Sequence, residues 1–294
     1  MKTSYKCIQC FFRQIEAAVL LAGINKTKKE KLFMALTKKL LRFDFNSPPV
    51  VFGKTIYKSI SRISGKKDIF YGKKIETERY LARHSYDLEN TISESRDSLF
   101  TAAKMSCAAN AIDFGTGRYP DVNRLLSELK HVRLYVNQFM LFRKMLVKSR
   151  SLLILADNCG EAVFDMFFTK EIIKRIPKLN IFYAVRSSPV INDVVISDAR
   201  RIGINKVAKV ISSGCDYPGL ILSKTSPAFR RIYKDADIVI SKGQGNFESF
   251  YDDKKNIFYL FQIKCPAVSE LLNIPQGRVL FIYNKHINNI IDNN

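Results

Sequence analysis

The chain is 294 residues long, with 47% hydrophobic and 26% charged residues, which suits a soluble globular protein large enough for two domains. No apolar run approaches the roughly 18 residues that span a bilayer, and Gln9, Arg13 and Glu16 interrupt the N-terminal stretch that a secretion signal would need. A cytoplasmic protein without a membrane partner is expected, its six cysteines held as reduced thiols because a core of this size needs no disulfides.

Net charge is +21, and the excess sits in the first half: residues 1–150 carry 29 Lys and Arg against 13 Asp and Glu, residues 151–294 carry 19 against 14. Such a bias fits nucleic-acid binding, steering of a small anionic substrate, or lysine used as a default surface residue. The basic pairs Lys28-Lys29, Lys38-Lys39, Lys66-Lys67 and Lys73-Lys74 are dispersed, and no RNA-recognition or helix-turn-helix pattern accompanies them. Any nucleic-acid contact is expected to be weak and non-specific.

In chain order, the first half reads as helices. Ile15 to Gly23 is apolar and stops at a glycine; Lys28 to Phe43 places Leu32, Phe33, Leu36, Leu40 and Phe43 near helical spacing before Ser47-Pro48-Pro49. Val50 to Ser64 follows, then a turn at Gly65 to Gly72, then helices over Lys73 to Thr91 and Ser93 to Ile112. Asp121 to Lys148 carries Leu125, Leu129, Val132, Val136, Phe139, Arg143 and Leu146 on one stripe and is expected to be a single long helix. Around residue 148 the pattern changes, which sets an expected boundary between a helical domain, 1–148, and an α/β domain, 149–294.

From there strands alternate with helices: strands at 152–156, 181–185, 207–211, 237–241, 257–263 and 279–283, and helices at 160–176, 192–202, near 219–233 and at 267–272. This order implies an α/β, Rossmann-like three-layer domain with a mostly parallel sheet, preceded by an all-helical domain. In such folds the loops leaving the carboxyl ends of the strands share one edge, where ligands bind. Polar residues spread over ninety positions therefore converge.

Asp157 and Asn158 end the first of these strands and make a hard oxygen corner of the kind that holds Mg²⁺ or Mn²⁺; alternatively, Asn158 caps the following helix. Asp193 is placed to add a third oxygen and Arg186 to engage an anion, or else Asn192 and Asp193 start a helix. Ser212-Ser213-Gly214 and Lys242-Gly243-Gln244-Gly245-Asn246 complete the rim, with glycines that admit an anion and a lysine for phosphoryl oxygens. Neither is a Walker loop, since the order and spacing of glycine and lysine are wrong. Asn110 and Asp113, one turn apart, either close over the cleft or cap a helix end. His84, His131 and His286 lack metal spacing, and Cys7 and Cys10 form a CxxC that Cys265 could join in space.

Read together, CIQC, AANAIDFG, LADNCGEAVFD, VRSSPVINDVVISDA, SGCDYPG, ADIVISKGQGNFE and the KC at 264–265 resemble the family catalogued as domain of unknown function eighty-nine, the metal-dependent damage-control phosphatases; the N-terminal CxxC resembles its archaeal and bacterial branch. The resemblance implies a divalent metal (Mg, Mn, Co or Ni) on Asp157, Asn158 and Asp193, a phosphate-contacting Lys242, and a small phosphorylated metabolite, such as a sugar phosphate, as substrate. The reading is a metal-dependent phosphomonoester hydrolase with Asp157, Asn158, Asp193 and Lys242 catalytic. Substrate contacts are expected from Arg186, Asn110, Asp113, Ser213, Gly243, Asn246 and Glu161, with Glu161 and Asp198 also candidates for orienting groups or moving protons. The alternatives are a non-catalytic basic nucleic-acid-associated protein and a carboxyl methyltransferase, the latter opposed by the missing glycine-rich cofactor turn.

Overall fold

The structure is a computed structural model that describes residues 1–114, 121–129 and 131–287. Gly115, which closes the AANAIDFG motif, and the polar tail Asn288–Asn294 lie outside them, as does the side chain of Leu125. Among the described residues no helix is long and apolar enough to cross a membrane.

Five helices open the chain: α1 (Lys6–Ala22), α2 (Lys26–Leu40), α3 (Pro49–Ser64), α4 (Tyr71–Arg83) and α5 (Ser85–Ser93). Their ends follow local chemistry. Asn25 caps α2 by accepting from the Lys28 backbone N–H at 3.0 Å, Pro49 supplies the first position of α3, and Gly23 and Gly65 close α1 and α3 in the left-handed region. Lys73 to Thr91 is two helices rather than one, broken at His84. α6 (Ser98–Ala108) starts where Asp97 accepts from the Phe100 N–H at 3.1 Å and runs into a 3₁₀ turn at Ala109–Ala111.

The expected long helix at 121–148 is instead α7 (Val122–Leu129), strand β1 (Leu134–Asn137) and α8 (Phe139–Val147). β1 pairs with the last strand and so joins the sheet. Then come β2 (Ser151–Leu155), α9 (Cys159–Arg175), β3 (Asn180–Val185), α10 (Ile196–Ile202), β4 (Lys209–Ser212), α11 (Pro227–Asp235), β5 (Ile238–Lys242), α12 (Gln244–Phe250), β6 (Ile257–Gln262), α13 (Pro266–Leu272) and β7 (Val279–Tyr283). The helix expected over 219–233 begins later, after Ser226 caps it with Pro227 at its first position. α12 lies where no helix was expected.

The strand order is β1-β7-β6-β5-β2-β3-β4, parallel throughout except for the β6–β7 pair. Alternation sorts the side chains between two cores. Leu152, Ile154, Ile238 and Ile240 face a core shared with α6, α8 and α9, while Leu153, Leu155 and Val239 face one shared with α11, α12 and α13. A third apolar cluster joins α1, α2 and α3 through Phe11, Ile15, Leu36, Phe52 and Ile56.

Gly160, in the first turn of α9, lies where α4 and the 3₁₀ turn press in. A Cβ there would stand 2.5 Å from Ile112 Cγ2 and 3.0 Å from Thr77 Cγ2. Gly160→Ala is therefore expected to destabilise the fold by about 1–3 kcal/mol, overpacking outweighing the helix propensity gained; thermal melts matching wild type would show that this junction has slack.

Candidate active site at the carboxyl edge of the sheet

Backbone bonds, not side chains, first bring the acids together. After β2 and β3, the chain pairs through an isolated bridge between Asn158 and Asp193, with the Val194 N–H on the Asp157 carbonyl at 2.8 Å and the Cys159 N–H on the Asn192 carbonyl at 2.9 Å. Asp157 and Asp193 are thus held side by side, both buried. Between them sits the Arg186 guanidinium, whose Nε donates to Asp193 at 2.7 Å while Nη2 lies 3.5 Å from Asp157.

Asn158 holds the position before α9, yet its side chain makes no capping bond. Its amide nitrogen donates to Asp157 Oδ2 at 2.8 Å and Glu161 Oε2 at 3.4 Å, which leaves its oxygen as the atom available to a cation. The capping alternative is thereby excluded. Asp193 does not start a helix either: α10 begins at Ile196, and Asp198 accepts from the Val195 N–H at 3.1 Å.

Burial and mutual repulsion mark the acids electrostatically. Asp157 is pushed well above the ordinary carboxylate range, first by burial and then by the charges of Asp193 and Glu161, against the pull of Arg186 and Lys264. Asp193 is raised to about 6, burial outweighing Arg186. Glu161 is raised by burial, with Lys242 opposing.

Asp157, Asn158 and Asp193 open onto a cavity of about 580 Å³, also lined by Asp113, Lys264, Gln244, Gln262, Glu248 and the thiols of Cys7, Cys10 and Cys265. The three cysteines thus line one cavity, but their sulfurs do not all lie within 4.8 Å of one another. Asp113 and Lys264 form an ion pair at 2.6 Å. Burial pushes the Cys7 thiol up to about 11 and the Cys265 thiol to about 12, and raises Glu248 to about 7.

The remaining sequence candidates do not line the cavity. Lys242, expected to touch phosphate, is fully buried and aims its ammonium at Glu161, Asp165 and Ser106. The cause is parity: Lys242 shares a face with Ile238 and Ile240, the face that α9 covers. Arg186, expected to engage an anion, is occupied by Asp193, Asp157 and the Asn246 oxygen at 3.0 Å. Asn246 is a clamp rather than a ligand, donating to the carbonyls of Ala156 and Lys242 and accepting from Arg186 and the Leu220 N–H. Ser213 Oγ donates to the Val185 carbonyl at 2.9 Å and holds its own loop. Gly243 packs its α-carbon against Asp157. Asn110 donates to Asp157 at 3.2 Å and Glu161 at 3.0 Å and accepts from the Gln262 N–H, tying β6 to the acids.

Lys264, quoted in the sequence only as part of the KC at 264–265 and given no role there, lines the cavity. It follows β6, which is parallel to β5 and so ends at the same edge; the strand-end rule that found Asp157 would have found it.

Among the described residues, one group of three or more carboxylate, thiol or imidazole side chains has donor atoms within 4.8 Å of one another: Glu78, Cys159 and Asp198. Cations already sit there. Lys74 lies 3.1 Å from Asp198, and Arg201 bonds both Glu78 and Asp198, so the group is an ion-pair network joining α4, α9 and α10. Asp198, a candidate for proton transfer, belongs to this network and not to the cavity.

A mostly parallel sheet with an acid-lined cavity at its carboxyl edge defines an α/β protein with its largest set of convergent polar groups where such folds bind small ligands. The comparisons give the family. The chain matches the damage-control phosphatase ARMT1-like domain over residues 3–280 and belongs to that family. It is 30% identical to a damage-control phosphatase of Pyrococcus horikoshii over 97% of this chain and 99% of that one. It is 28% identical to a damage-control phosphatase of Archaeoglobus fulgidus over 81% and 84% of the two chains. A crystal structure of a DUF89 family protein from Pyrococcus horikoshii matches with a TM-score of 0.84 at 27% identity, covering 97% and 99% of the two chains.

Proposed function

We propose that the protein is a divalent-cation-dependent phosphatase acting on small phosphorylated metabolites. The observation that carries this is the charge of the buried set behind and along the cavity wall. Asp157, Asp193, Glu161 and Asp165 pair directly with Arg186 and Lys242, four acids to two cations, and Lys264, which also acts on Asp157, is itself paired with Asp113. Low-dielectric surroundings make such an excess costly unless a proton or a cation joins it, and a divalent cation can displace the proton. Asp157, Asn158 and Asp193 offer hard oxygens and would hold Mg²⁺, Mn²⁺, Co²⁺ or Ni²⁺.

When bound, such an ion supplies positive charge and Lewis acidity toward a phosphoryl oxygen. The chain's own groups do the rest. Lys264, in the cavity wall and held by Asp113, is the ammonium placed to bind the phosphate oxygens as charge builds on them. It takes the role expected of Lys242. Arg186 keeps Asp157 and Asp193 oriented rather than binding substrate. The cavity's volume accommodates a sugar-sized ester with its phosphate at the acid end.

The direct test is hydrolysis of a panel of phosphomonoesters with each of the four cations and with chelator. Activity that requires a cation is expected, and Lys264→Ala is expected to lower kcat/KM by on the order of 100-fold while leaving cation affinity unchanged. Hydrolysis untouched by chelator would overturn the cation role, and normal turnover in Lys264→Ala would remove the lysine from it.

A further inference from the structure

Behind the acids a chain of buried polar groups runs into the protein. Tyr183 Oη donates to Asp165 Oδ2 at 2.8 Å. Lys242 Nζ donates to Asp165 Oδ1 at 2.8 Å, Ser106 Oγ at 2.7 Å and the Ser106 carbonyl at 2.9 Å, and it lies 2.7 Å from Glu161 Oε1 as an ion pair without hydrogen-bond geometry. An ammonium has three protons and those three bonds use them all, so its hold on Glu161 is electrostatic. The other oxygen of Glu161, Oε2, accepts from Asn110 Nδ2 at 3.0 Å and Asn158 Nδ2 at 3.4 Å. Both amides reach Asp157 Oδ2 as well.

An asparagine side chain fits its site with either end forward, and what surrounds it decides which end faces where. Here the inner surroundings are two carboxylate oxygens, which accept only. They draw the nitrogens of Asn110 and Asn158 inward, and the oxygen of Asn158 faces the other way. Glu161 can do this only while its other oxygen is kept turned away, and the charge that faces that oxygen is Lys242, 2.7 Å off.

We propose that Lys242 is a positioning residue. Clamping Glu161 against α6 and α9, it fixes the amide orientation of Asn158 and so presents that oxygen, beside Asp157 and Asp193, to a divalent cation. The assignment rests on the cation site proposed above. A purely stabilising role accounts poorly for the arrangement, because buried ion pairs replaced by apolar groups of similar volume often cost nothing.

The experiment is calorimetric titration of the full-length protein with Mn²⁺, in wild type, Lys242→Met, Glu161→Gln and the double variant, with folding checked by circular dichroism. Lys242→Met is expected to weaken Mn²⁺ binding by about 10-fold or more, as losing a group that orients a ligand from behind typically does. Glu161→Gln keeps the lysine but offers an amide nitrogen where an acceptor stood, and is expected to weaken binding similarly. In the double variant the glutamine can turn its oxygen to the asparagines and its nitrogen to the side that the lysine faced. Its Mn²⁺ affinity is therefore expected to lie closer to wild type than the two single losses combined. Should Lys242→Met fail to fold, Glu161→Gln alone decides the matter.

Wild-type affinity in either folded single variant, or additive losses in the double, would overturn the proposal while leaving the cation site standing. Absence of Mn²⁺ binding by the wild type would overturn both.

Discussion

Asp157→Ala is expected to abolish cation binding and to cut hydrolysis by roughly 1,000-fold or more, about 4 kcal/mol of transition-state stabilisation, while making the cation-free protein no less stable. The two effects have opposite signs for one reason. Burial, followed by the charges of Asp193 and Glu161, pushes Asp157 well above the ordinary carboxylate range, so its removal relieves an unfavourable burial in the folded state. The amide nitrogens of Asn110 and Asn158 lose one acceptor and keep the other, Glu161. Functional sites commonly trade stability for such arrangements. Thermal melts in chelator, titration with Mn²⁺ and a phosphomonoester assay read the three consequences separately. A folded Asp157→Ala protein with full activity would show that the chemistry lies elsewhere.

What the sequence made legible was what depends on local pattern. β2, β3, β5, β6 and β7 are apolar runs bounded by polar turns, and the strand-end rule brought Asp157, Asn158 and Asp193 to one place before any coordinates. β1 was hidden because Leu129, Val132, Val136 and Phe139 fall near helical spacing, and a four-residue edge strand with alternating exposure gives too short a period to compete. α12 was hidden by Gly243 and Gly245, which read as loop punctuation.

The direction of Lys242 needed contacts from far along the chain. Its place at a strand end was visible, but the acids that claim its ammonium come from α9 and the hydroxyl from α6, 77 and 136 residues away in sequence. A clue was nonetheless present. Glu161 and Asp165 stand one turn apart on a helix otherwise rich in Ala162, Val163, Phe164, Phe167 and Phe168, and two acids on a buried face call for an internal cation. Strand parity then points to Lys242, which shares a face with Ile240.

Gly243→Ala is expected to be among the most damaging single substitutions outside the cavity wall. At φ +78 and ψ 156 this residue occupies backbone space that is nearly restricted to glycine. A Cβ added there would overlap the Asp157 carboxylate and stand 2.8 Å from the Asp157 Cβ. The backbone has little freedom to yield, since the Gly243 N–H donates to the Leu260 carbonyl at 3.0 Å and the Gly243 carbonyl accepts from Phe247. Strain and overpacking together are expected to cost about 3–5 kcal/mol and to displace Asp157 from the cation site. Gly65 gives a lower bound: it also has positive φ, 72, but with ψ 2 in the left-handed region that other residues tolerate better, and it has open space where a Cβ would go, so Gly65→Ala reports a milder backbone cost, about 1 kcal/mol, without overpacking. Urea unfolding of the two variants separates the terms. The difference should shrink in a Gly243→Ala, Asp157→Ala double variant, because the carboxylate that the methyl group strikes is gone. An equal loss from Gly243→Ala in the presence and absence of the Asp157 carboxylate would mean that Asp157 moves aside freely, and that the close approach of β5 to the acid does not set the geometry of the site.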